Sequence, residues 1–79
     1  MKKINLSLLN ENIIGSSIKE ARLAQGISQI ELAKKIGVTH AAISYWENGI
    51  NIPNVLDCWL LADVLGLTID DLVGRNIET

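Results

Sequence analysis

Seventy-nine residues, 48% of them hydrophobic, make one small domain, close to the lower size at which a single core holds without disulfides or a structural metal. A lone cysteine, Cys58, excludes an internal disulfide; one histidine and no carboxylate cluster at ligand spacing leave neither a metal site nor a nucleophile–base pair, so no enzyme and no cofactor are expected. The formal net charge of −2 speaks against a polyanion-binding surface until its distribution is considered.

Residues 1–12 read as an N-terminal arm. Ile4, Leu6 and Leu8 alternate as in a strand, whereas Leu6, Leu9 and Ile13 also fit a helical stripe. An extended arm is the preferred reading. Three roles stay open for it: a basic arm tracking DNA through Lys2 and Lys3, an edge strand pairing with a second subunit, or a loosely docked terminus. Asn5 and Ser7 interrupt the apolar run and Asn10 to Asn12 end it, too short for export or for spanning a membrane, so a cytoplasmic protein is expected.

A domain over residues 13–74 follows, with 75–79 as a frayed tail. Ile14 to Gln25 is the first predicted helix, with Ile14, Ile18 and Ala21 as its core stripe and Gly26 as its stop. Ser28 and Glu31 then form a capping box, in which each side chain satisfies a backbone amide of the other, so a second helix starts at Ser28 or Gln29. It stops near Ile36, because Gly37 can take the left-handed conformation that ends a helix. Val38 anchors the turn, and Thr39 caps a third helix running roughly from His40 to Asn48. Asn-Gly at 48–49 signals a turn. Asn54 with Asp57 caps a fourth helix, Val55 to Leu65, whose expected core side is Val55, Cys58, Leu61, Ala62 and Leu65; Cys58 is expected to be a small buried hydrophobe. Thr68 and Asp71 open a last helix from Ile69 to Val73, with Leu67 and Leu72 packing inward.

At about 100° per residue, Ile43 and Trp46 with Ala42 point one way along the third helix, and His40, Ala41, Ser44, Tyr45 and Asn48 share the opposite arc. One face belongs to the core. A short helix whose other face carries small, hydrogen-bonding side chains suits insertion into a DNA major groove. The charge is arranged to match: six basic and three acidic residues up to Ile36 give +3, and one basic against six acidic from Gly37 onward gives −5. Such asymmetry orients a molecule on a duplex if the basic half flanks the third helix.

Residues 14–73 resemble the lambda-repressor-like helix-turn-helix family of phage and bacterial regulators. The likeness is carried by Ile14-Gly15, Arg22, Gly26 to Gln29, Leu32-Ala33, Ile36 to Val38, Ile43-Ser44, Trp46 to Gly49, Pro53, Leu61-Ala62, Leu65-Gly66 and Leu72. It implies an all-α, compact five-helix bundle in which helices two and three form the helix-turn-helix. It further implies that Gln29 and Asn48 hold phosphates, with Asn51 a less secure third, and that Arg22 pairs with Glu47. His40, Ala41, Ser44 and Tyr45 align with the family's base-reading positions. His40 can donate to or accept from purine edges, Ala41 can meet a thymine methyl, and Ser44 suits either kind of atom. This arc has no arginine, lysine or glutamine, so each contact is expected to be weak and DNA shape to carry part of the specificity.

Weak half-sites imply a homodimer on a palindromic operator, since recognition helices about 34 Å apart meet successive major-groove turns. Where the family is usually polar, this chain has Leu23, Ile30, Ile50, Ile52, Leu56 and Leu60, joined by Trp59. The interface is expected at Ile50, Ile52, Leu56, Trp59 and Leu60, extending to the last helix. The expected function is a dimeric transcriptional regulator, a repressor by preference. An antitoxin or restriction-system controller with a protein partner, or an interaction module that has kept the fold without DNA, are the alternatives.

Overall fold

The computed structural model describes residues 11–74, and among them every regular element is helical. Five helices follow in order: α1 (Glu11–Ala24), α2 (Gln29–Ile36), α3 (His40–Glu47), α4 (Val55–Leu65) and α5 (Ile69–Leu72). Each contributes one fully buried aliphatic side chain to a common core: Ile18, Leu32, Ile43, Leu61 and Leu72. Burying a side chain of this kind contributes about 1.5–3 kcal/mol, so the five together fix how the helices meet. Trp46, Ile36, Leu65 and Ala33 complete the buried set, with Ile14, Ala21, Val38 and Leu67 packed against it.

Local chemistry sets the boundaries. Ser28 Oγ accepts from the Glu31 amide and Glu31 Oε1 from the Ser28 amide, both at 3.0 Å. The Glu31 carboxyl is held below its ordinary range, first by the Ser28 amide and then by the Ser28 hydroxyl. Gly37, at φ 79°, closes α2 by donating its amide to Ala33 O at 2.9 Å, and Val38 donates to the same oxygen at 3.0 Å. Thr39 Oγ1 then accepts from the Ala42 amide at 3.1 Å and starts α3. Three residues thus stop one helix, turn the chain and open the next.

The structure departs from the expectations at the ends of α1, α3 and α5 and, in the core, at Val55 and Cys58. Helix α1 begins at Glu11, inside the expected 1–12 arm, and ends at Ala24, with Gln25 in the turn. Residues 1–10 and the 75–79 tail lie outside the described residues. Helices α3 and α5 each end one residue early, at Glu47 and Leu72. Val55, expected in the core, is 84% exposed: as the first residue of α4 it overhangs the bundle, and only from the next turn onward does that helix have a neighbour to bury against. Cys58 is half-buried, its thiol donating to Pro53 O at 3.6 Å; burial first, and Asp57 second, push it above its usual range.

Candidate nucleic-acid interface

Helix α3 is held from behind and left open in front. It packs chiefly on α1 and α2, burying Ile43 and Trp46. At its C-terminal end α1 comes so close that a Cβ on Gly15 would stand 2.3 Å from Trp46 O and 2.9 Å from Glu47 O. Only glycine permits that approach. On the opposite arc His40, Ala41, Tyr45 and Asn48 are exposed and Ser44 is partly so. Asn51 is exposed in the loop beyond.

A polar chain runs from α1 to the start of α3. Arg22 Nε donates to Glu47 Oε2 at 2.7 Å and Nη2 donates to Glu47 Oε1 at 3.0 Å, with side-chain exposures of 10% and 2%. The third guanidinium nitrogen, Nη1, donates to Ile27 O at 2.9 Å, so one arginine ties α1, the α1–α2 loop and α3 together. The hydrogen bond to Glu47 raises the Arg22 pKa, outweighing burial, which lowers it. Gln29 Nε2 also donates to Glu47 Oε1, at 3.0 Å, and Gln29 Oε1 lies 2.9 Å from His40 Nε2.

The side chains singled out from the sequence are therefore not equally free. Gln29 is half-buried and turned toward Glu47 and His40, which leaves its second amide hydrogen and its backbone amide for an anion. Asn48 folds back, its Nδ2 donating to Ser44 O at 2.8 Å and reaching Ser44 Oγ at 3.4 Å. Positive charge within the helix pair comes from Lys34 and Lys35, exposed in the last turn of α2. Sequence reasoning missed the part Gln29 plays inside the protein. The available signal was chemical: a primary amide at a helix start can bridge an acceptor and a donor at once.

Of the expected interface residues, Ile50, Ile52, Leu56 and Trp59 are exposed, Trp59 by 68%, and Val55 adds to them. Leu60, the fifth, is partly buried, packing against the core one turn before Val64 on the same side of α4.

A capped helix pair joined by a tight turn, with the second helix buried behind and polar in front, is a helix-turn-helix. The chain belongs to the lambda-repressor-like helix-turn-helix family, whose pattern residues 18–72 match. An uncharacterised HTH-type transcriptional regulator of Rickettsia conorii is 38% identical over 60 residues, covering 76% of this chain and 48% of the relative. The HTH-type transcriptional activator BcrR of Enterococcus faecalis is 30% identical over 63 residues, covering 78% of this chain and 31% of BcrR. This chain thus spans about half or less of the length of these relatives. A crystal structure of the P22 c2 repressor in complex with a synthetic operator superposes with a TM-score of 0.76 at 32% identity, over 80% of this chain and 96% of the repressor chain.

Proposed function

We propose that this chain is a DNA-binding transcriptional regulator that lays α3 in the major groove of a palindromic operator and acts as a homodimeric repressor in the cytoplasm of a bacterium or in a phage-infected cell. The observation that carries the reading is the split of α3, with Ile43 and Trp46 in the core and His40, Ala41, Ser44 and Tyr45 on the open arc. His40, Ala41, Ser44 and Tyr45 meet base edges. Gln29, Asn48 and Asn51 hold flanking phosphates: Gln29 through its second amide hydrogen, Asn48 through whatever its bonds to Ser44 leave free. Lys34 and Lys35 add the long-range attraction that a net charge of −2 does not supply. Repression, rather than activation, is supported by the likeness to the P22 c2 repressor, whereas one relative is an activator.

Selection of bound duplexes from a random library tests this directly. The expected product is a pair of inverted half-sites whose affinity falls linearly with log salt, and Ser44→Ala should alter the selected sequence. Binding that ignores salt or sequence would overturn the reading. The exposed apolar residues around Leu56 and Trp59 favour one variant of it, in which the same DNA-binding unit docks on a different protein.

A further inference from the structure

We infer that Glu47, acting through Gln29, fixes the His40 imidazole in its Nε2–H form, so that α3 opens with a bare Nδ1 acceptor whose major-groove partner is an exocyclic amino group, adenine N6 or cytosine N4. This rests on the DNA-binding reading above and adds the class of base that one side chain takes.

An ionised carboxylate has no hydrogen to give, and Glu47, 2% exposed and bonded through both oxygens to Arg22, accepts only. Gln29 must therefore turn its NH2 end toward Glu47 Oε1, 3.0 Å away. An amide is planar and two-ended, so its oxygen faces the other way, 2.9 Å from His40 Nε2. That oxygen cannot donate either. The hydrogen between them belongs to the imidazole, and a neutral imidazole carries only one. Nδ1 is left as a lone pair, and among the described residues it has no hydrogen-bond partner.

An exposed His40 free of this network could present a donor or an acceptor to a base. Held by Gln29, it presents an acceptor. Adenine N6 and cytosine N4 are the amino donors of the major groove, whereas guanine offers two acceptors that a bare nitrogen lone pair repels. Gln29 is accordingly a positioning residue for specificity. One half of its amide is set by a carboxylate on the same helix as the histidine it orients.

Two measurements separate this inference from the one beneath it. His40 is the only histidine, so the imidazole nitrogen resonances of the free protein, recorded at alkaline pH, belong to it without ambiguity. The wild type should sit at the Nε2–H limit, and Gln29→Met should move both nitrogens toward the averaged values of mixed tautomers. Gln29→Asn, one methylene too short to span Glu47 and His40, should do the same while keeping an amide. In a selected duplex, deleting the exocyclic amino group at one pair per half-site, with purine in place of adenine or 2-pyrimidinone in place of cytosine, should weaken wild-type binding roughly five- to ten-fold, the scale of one hydrogen bond. His40→Ala should lose that sensitivity, and Gln29→Met should reduce it. Finding no pair whose amino group matters to the wild type but not to His40→Ala, or imidazole spectra identical in wild type and both Gln29 variants, would overturn this inference alone. A protein selecting no duplex would overturn the regulator reading and the amino contact together.

Discussion

Removing a guanidinium and a carboxylate from water is unfavourable, and Arg22 and Glu47 offset it only as a pair, each filling the other's bonding capacity in a site almost closed to solvent. Glu47→Ala leaves the Arg22 guanidinium with Ile27 O as its remaining protein acceptor and should cost about 3–5 kcal/mol in urea unfolding, whereas Arg22→Met with Glu47→Leu should recover much of that loss. A double variant as unstable as the single one would show that the pair contributes shape, not charge. Glu31 gives a second, pH-dependent expectation. Its folded pKa lies below its unfolded one, so the stability it contributes is present above the ordinary carboxyl value of 4.5 and is lost as pH falls through the folded value. Glu31→Gln keeps a side chain able to complete the capping box but removes the titration. The melting temperature of the wild type should therefore fall further on acidification than that of Glu31→Gln, and parallel pH profiles would refute the assignment.

At the scale of the helix, Gly15 sets two effects against each other. Alanine is the better helix former by about 1 kcal/mol, which alone predicts that Gly15→Ala stabilises α1. The new Cβ would stand 2.3 Å from Trp46 O, a backbone atom that cannot rotate aside, and overpacking of this kind costs about 1–3 kcal/mol. The clash should win, lowering the urea midpoint and loosening α1 from the end of α3; a higher midpoint would mean that the helices part without cost. Nothing local in the sequence marks this contact, because a glycine inside a helical pattern shows only a missing side chain. Elements bounded by side-chain caps and a glycine stop were legible for the opposite reason. Ser28, Glu31, Gly37 and Thr39 each act on neighbours within four residues, and α2 and the start of α3 fall where those residues put them. Periodicity identified the buried stripe of α4 but not where the bundle ends beneath it, hence Val55 outside and Leu60 partly inside. The Gln29 bridge spans 18 positions to Glu47 and 11 to His40, a closeness that only the packing of α1, α2 and α3 creates.

At the scale of the whole molecule, five of the exposed large apolar residues fall on the loop after α3 and the first turns of α4. Ile50, Ile52, Val55, Leu56 and Trp59 are all at least half exposed, and Trp59 borders a shallow hollow with Asp63, Leu67 and Ile69. Large apolar side chains clustered in this way lose free energy to water until something covers them. On the proposed palindromic operator a second copy would cover them, a twofold axis through this face bringing two copies of α3 onto one duplex. Leu56→Lys and Trp59→Lys alter only exposed side chains and should leave the helical content and thermal unfolding near those of the wild type. In sedimentation equilibrium the wild type should weigh as a dimer and both variants as monomers. Binding to a full palindrome should fall steeply in the variants, because the two half-site contributions no longer combine, while binding to an isolated half-site should stay where it was. A wild type that remains monomeric at high concentration would assign the face to a different protein, and variants that lose half-site binding as well would place these residues against DNA.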